Sequence, residues 1–271
     1  MSQGPDVAPA RPDQTTDDAF LGGALTVRQP ARGYRAGSDA VLLAASVDAE
    51  SAAGATCLDV GAGVGTVGLC LARRIDDVRV VLMEPEATHL ALARFNIEAN
   101  GLGARVSAIA ARVGDRADAM DAAGLRPESF DIVVTNPPYF ASAAGTLSAD
   151  PLRRASHALQ SDITFADWAR FLVRMVRPAG QLYLIHRASA LAEVLATLDR
   201  RFGGFRVLPL HPRRGAPANH VIVMGRKGSR ATLELLPGLV LHGDGHGYDP
   251  AIDAVLRHGA PLCIEGLNDP R

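Results

Sequence analysis

A chain of 271 residues, 48% hydrophobic and 21% charged, has room for one large α/β domain, and its composition excludes a disordered, fibrous or membrane-embedded polymer. No apolar run approaches the roughly 20 residues that span a bilayer. The net charge is −1, but residues 150–230 hold 14 Lys and Arg against 5 Asp and Glu, while the remainder holds 14 against 24; the basic stretch is either a phosphate-binding face or a set of arginines spread over a solvated surface.

Residues 1–18 are polar, acidic and proline-bearing, with no apolar segment behind a positive start, so they read as a disordered tail and not as a secretory signal. The stretch FLGGALTVRQPARGYRAGSDAVLLAASV, 20–47, reads as a small hairpin leading into a helix that starts near Ser38 or Asp39. Seven β-branched runs follow: TCLDVGAG from Thr56, RVVLMEP from Arg79, ARVSAIAARV from Ala104, FDIVVTNPP from Phe130, GQLYLIHRA from Gly180, FRVLPLHP from Phe205 and HVIVMGRKG from His220. Helix-length segments separate the first six, which implies a mostly parallel sheet with helices on both faces. Only RRGAPAN joins the last two, so the sheet should end with an antiparallel strand. Residues 231–259 read as a further strand pair and a short helix, giving a single domain over 19–271 with small extensions at both ends. His242, Asp244, His246 and Asp249 have metal-ligand residue types, but glycines at 243, 245 and 247 and the lack of site spacing make HGDGHGYD a turn. Cys57, Cys70 and Cys263 are odd in number and lack CxxC spacing, which argues for buried thiols in a reduced cytoplasm and against a zinc site. Trp168, at helical spacing with Phe165 and Leu172, reads as core.

The chemistry gathers at three strand ends. LDVGAGVGTVGL, 58–69, alternates Gly61, Gly63 and Gly65, which lets backbone approach a nucleotide ahead of a helix N-terminus. Gly63, Gly65 and Gly68 also satisfy the dinucleotide fingerprint, with Glu84 about 20 residues on, so the glycines alone do not choose between cofactors. Asp59 tilts the choice: a carboxylate there opposes a pyrophosphate and suits the cationic amino-acid end of S-adenosylmethionine. Glu84 fits a ribose diol in either cofactor. At the fourth run, TNPPYF ends the strand, because two prolines remove two donors and fix two φ angles. The amide oxygen of Asn136 and the carbonyl of Pro137 can both accept from a planar NH₂ group, Pro138 keeps the turn rigid, and Tyr139 offers a face for stacking.

This order, D-x-G-x-G-x-G, an acidic strand end, Gly114–Asp115, then NPPY, resembles the class I S-adenosylmethionine-dependent N-methyltransferases. The resemblance implies a Rossmann-like seven-stranded sheet with an antiparallel last strand, S-adenosylmethionine as cofactor, no metal, and catalysis at Asn136, Pro137, Pro138 and Tyr139. The flanking stretches, and RRASH after NPPY, resemble the tRNA1(Val) adenine-N6 methyltransferase family, which modifies the adenine beside the anticodon. In that pattern Gln29, Gly33, Tyr34 and Asp39 help close the cofactor pocket, and Asp115 meets the cofactor adenine. A tRNA partner follows, with Arg153, Arg154, His157, Arg213 and Arg214 as its expected contacts; with Lys227 the only lysine, such contacts rest on arginine. Glutamine-amide methylation of a release factor and guanine-N2 methylation of rRNA are the alternatives; the first usually comes with a helical N-terminal domain, for which about 38 residues leave little room.

Overall fold

The protein is described by a computed structural model at residues 14–33, 35–138, 163–243, 245 and 247–262. β1 (Thr15–Phe20) and β2 (Leu25–Pro30) form an antiparallel hairpin, followed by α1 (Ser38–Ser46) and the short α2 (Ala49–Ala52). Alternation then begins: β3 (Thr56–Val60), α3 (Thr66–Arg74), β4 (Arg79–Met83), α4 (Ala87–Ala99), β5 (Val106–Ile109), α5 (Ala117–Ala122) and β6 (Phe130–Thr135). After the segment outside the described residues come α6 (Phe165–Met175), β7 (Val176–Arg187), α7 (Leu191–Leu198), β8 (Phe202–Arg213) and β9 (His220–Lys227), then β10 (Glu234–Leu235), β11 (Leu239–His242) and α8 (Pro250–His258).

The seven expected strands are all present, in the order β8-β9-β7-β6-β3-β4-β5, and β9 runs antiparallel to both neighbours. The expected strand pair at the C-terminal end is different. β10 and β11 do not pair with each other; each adds in parallel to β8, Leu235 opposite Val207 and Leu239 opposite Leu210, giving nine strands among the described residues. Pro237 and Gly238 break what would otherwise be one edge strand, since proline cannot donate to the ladder.

Both faces of the sheet are covered, and the strands alternate between two cores. Cys57, Ile132, Tyr183, Ile185 and Ile222 face one cluster with Leu69, Leu92 and Ile252; Leu58, Val133, Leu182, Leu184 and Val223 face the other with Met120, Leu172 and Val194. This is the two-residue period of a strand buried on both sides. Cys57 and Cys70 are free and buried, and burial pushes the Cys70 thiol up to about 12; Cys263 lies outside the described residues.

β1 begins inside the stretch expected to be tail. Thr15–Asp18 are strand, not tail, because their carboxylates find partners across the hairpin: Arg28 donates to Asp17 through Nε at 2.7 Å and Nη2 at 2.9 Å, and the Gln29 amide donates to Asp18 at 2.8 Å. The hairpin is fixed to the domain by two asparagines one helical turn apart on α4. Asn100 accepts from Thr26 N at 3.0 Å and donates to Thr26 O at 2.7 Å; Asn96 accepts from Arg28 N at 2.7 Å and donates to Arg28 O at 3.0 Å. Their amides replace the partner strand that β2 lacks on that side. Asn96, fully buried, also donates to Val64 O at 3.0 Å, inside the glycine loop. Asn96→Ala strands three backbone groups, so it is expected to lower the unfolding free energy by about 2–4 kcal/mol in denaturant titration, against about 1 kcal/mol for the more exposed Asn100→Ala.

Candidate active site

The carboxyl ends of β3, β4 and β6 meet at one edge of the sheet, where ligands of open α/β folds bind. β3 leads into a loop in which Gly61, Gly63 and Gly65 all have positive φ, 73°, 57° and 91°, a conformation that side chains rarely adopt. Gly61 has a second reason to lack a side chain: a Cβ there would lie 3.0 Å from the Trp168 ring. Trp168 is therefore core, as expected, and also a backstop. Its Nε1 donates to Thr135 Oγ1 at 3.1 Å, and Thr135 donates to Val60 O at 2.9 Å, so the end of β6 is tied to the end of β3 beneath the loop. Gly65 caps α3 and abuts Leu82 of β4.

Two buried carboxylates stand at adjacent strand ends. Asp59 is 1% exposed and accepts from Gly68 N at 3.0 Å; Glu84 is 6% exposed and accepts from Gly63 N at 2.8 Å and Glu86 N at 3.0 Å. Burial pushes the Asp59 carboxyl up to about 7, against the pull of the Gly68 hydrogen bond, and the Glu84 charge adds to the rise. Glu84 is likewise held above its ordinary range by burial, partly offset by its two backbone hydrogen bonds and by His89.

A cavity at this edge is lined by Gln29, Asp59, Gly61, Gly63, Thr66 and Asn136, with His89 at its rim. Five of the residues expected from sequence thus line one cavity. Gln29, 1% exposed, accepts from Ala36 N at 2.8 Å while its amide nitrogen holds Asp18. Pro137 is buried and Pro138 half-buried behind Asn136. Glu84 and Gly65 are not among the lining residues; Glu84 adjoins the cavity through its hydrogen bond from Gly63 N, and Gly65 caps α3.

Other expected residues do not converge here. Asp115 is exposed, and its carboxylate accepts from Arg112 N at 2.7 Å in its own turn. Asp39 lies in the first turn of α1 and Gly33, with φ 100°, is exposed; neither lines the cavity. Arg213 and Arg214 are exposed at the β8–β9 turn, but Arg213 donates to Gly243 O at 3.1 Å and Gly245 O at 2.8 Å, clamping a loop. Tyr34, Tyr139, Arg153, Arg154 and His157 lie outside the described residues.

Sequence reasoning missed three residues. Asn96, which holds the loop, carries a signal in its i,i+4 repeat with Asn100. His89 packs its imidazole 3.5 Å from Glu86 and 4.0 Å from Glu84. Thr66 opens α3, is 2% exposed, and its hydroxyl has no hydrogen-bond partner among the described residues. Among those residues no group of three or more His, Cys, Asp or Glu could hold a metal, and no helix is long and apolar enough to cross a membrane.

A parallel sheet carrying a glycine loop between two acidic strand ends, with an Asn-Pro-Pro turn opposite, defines a nucleoside-cofactor class of α/β protein. Residues 36–165 match the family described as methyltransferase small domain. A predicted O-methyltransferase from Agrobacterium tumefaciens, known from its crystal structure, is 33% identical with a TM-score of 0.68 over 83% of this chain and 98% of that one. The tRNA1(Val) (adenine(37)-N6)-methyltransferase of Porphyromonas gingivalis is 35% identical over 129 residues, 46% of this chain and 49% of its own length. The release factor glutamine methyltransferase of Chlorobaculum tepidum is 32% identical over 166 residues, 59% and 54% respectively. This chain spans about half the length of these two curated relatives. Residues 36–165 are its methyltransferase small domain, and the Agrobacterium protein, 33% identical and matched over 98% of its length, places the chain among the methyltransferases.

The Asp59 environment makes a stability prediction. The folded protein holds this proton more tightly than the unfolded chain, whose carboxyl titrates near 3.8. The stabilisation is therefore full below about pH 4 and lost as pH rises to about 7, at up to about 1.4 kcal/mol per unit. Asp59→Asn keeps an acceptor for Gly68 N and should flatten that slope relative to the wild type in denaturant titrations between pH 5 and about 7; parallel slopes would mean an ordinary titration for Asp59.

Proposed function

We propose that the protein is an S-adenosylmethionine-dependent methyltransferase acting on the N6 amine of an adenine in tRNA, at the position beside the anticodon. The observation that carries the reading is that Asn136 lines the same cavity as Asp59, Gly61 and Gly63, which brings an amine acceptor to the cofactor loop. The cofactor fits the residues present. Asp59 matches its ammonium, the Thr66 hydroxyl and the N-terminus of α3 match its carboxylate, and Glu84 keeps a lone pair on each oxygen for ribose hydroxyls. A pyrophosphate would meet Asp59 instead, which disfavours a dinucleotide.

When bound, the cofactor supplies a methyl group on a positive sulfur, which leaves as a neutral thioether. The chain supplies position. Asn136 Oδ1 and the Pro137 carbonyl accept the two N–H bonds of the amine, which turns the nitrogen lone pair toward the methyl carbon. With the cofactor bound, these acceptors would hold the nitrogen where a C–N bond would form as the cofactor's S–C bond broke, and the surplus amine proton would pass to water. Acceptors fixed by two prolines and a buried strand end need no reorganisation as positive charge develops on nitrogen. The names of the two curated relatives support an NH₂ acceptor, and a glutamine amide, the second reading, presents the same geometry.

Incubation with S-adenosylmethionine and tRNA, followed by nucleoside mass spectrometry, is expected to yield N6-methyladenosine. Asn136→Ala should cut kcat by roughly 10²–10³ with little change in S-adenosylhomocysteine affinity by calorimetry. Methyl transfer to a release factor and not to RNA would select the second reading; binding of NAD in place of S-adenosylhomocysteine would sink both.

A further inference from the structure

The carboxyl edge that carries the cavity continues across the sheet. Beside β6 and its Asn136 turn, β7 ends at Arg187, which pairs with His220 at the start of β9; beyond them β8 ends at Arg213, opposite His242 of β11. At about 4.8 Å per strand, β11 lies four strands, roughly 19 Å, from β6.

At that far corner the glycine-rich loop after β11 is a built feature. His242 and Tyr248 form a β-bridge, Asp249 N donates to Leu241 O at 2.9 Å, and Arg213 fastens the loop through Gly243 O and Gly245 O. The two rings stack, with centroids 4.7 Å apart and planes 19° from parallel. Tyr248 remains 38% exposed, so the stack is not core. The two described carboxylates that follow are engaged, Asp249 on Ala251 N at the start of α8 and Asp253 on Arg257, while Arg214 stays exposed beside the clamp. An aromatic face held rigid at low entropic cost and bordered by arginines has the chemistry of a base-stacking platform on a polyanion track. A protein partner would not need the row of Arg and His that joins it to the cavity.

We propose that the His242–Tyr248 pair stacks a base of single-stranded RNA whose reacting adenine occupies the Asn136 turn. The inference rests on the RNA reading above. Stacking and charge leave different marks: a lost stack weakens binding without altering counterion release, whereas a lost phosphate contact reduces the salt dependence. Binding of a labelled tRNA transcript, measured from low to moderate salt, distinguishes them. Tyr248→Ala should raise Kd by about 5- to 100-fold with the wild-type salt slope, Tyr248→Phe should keep wild-type affinity, and Arg214→Ala should flatten the slope by about 0.7–0.9. S-adenosylhomocysteine affinity should be unchanged in all three, which certifies the fold. If the wild type methylates tRNA and Tyr248→Ala binds it equally well, the platform is wrong and the RNA reading stands. If the wild type methylates no RNA but does methylate a release factor, the RNA reading fails and the platform with it.

Discussion

Two carboxylates buried at neighbouring strand ends are the constraint around which the rest of the site is arranged. Asp59 and Glu84 are each almost without solvent, and each is held by backbone N–H groups, Asp59 by Gly68 in the first turn of α3 and Glu84 by Gly63 and Glu86. Burying such groups is costly, and the cost rises because they repel. The positive-φ glycines turn the chain so that the Gly63 amide meets Glu84 and the start of α3 meets Asp59. The same arrangement chooses ligand charge: it favours a cation beside Asp59 and hydroxyl donors at Glu84, and opposes a phosphate.

Every other layer keeps that loop still. Trp168 presses on Gly61 from below and, through Thr135, ties the end of β6 to β3, so the Asn136 turn and the glycine loop share one support. Asn96 joins the loop to the N-terminal hairpin, whose next residue, Gln29, also lines the cavity. The small hairpin is thus part of the site although it lies outside the main sheet. α8 packs on α1 and on the tight turn of the hairpin, bringing the C-terminal extension into the same structure.

Much of this was legible in the amino-acid order, because the governing effects are local. Short β-branched runs mark the seven strands, alternating glycines mark a loop that must reach positive φ, and paired prolines mark a strand end. What escaped depends on partners distant in sequence. Thr15–Asp18 look like solvated tail until Arg28 and Gln29 stand opposite. The direction in which β10 and β11 join β8 is not encoded in their own residues. Arg213 counts as surface charge in any composition but also donates to two loop carbonyls, and Asp115, placed by motif at the cofactor adenine, also accepts from Arg112 N in its own turn. Asn96 reads as an ordinary polar helix residue unless the unpaired edge of β2 is known to lie beside it.

A structure of the protein with S-adenosylhomocysteine bound should show the ribose hydroxyls within hydrogen-bond distance of Glu84, the amino-acid end between Asp59, Thr66 and the glycine loop, and the sulfur directed at Asn136. A ligand whose adenosine lies away from Glu84, or whose sulfur points away from the Asn-Pro-Pro turn, would contradict this site.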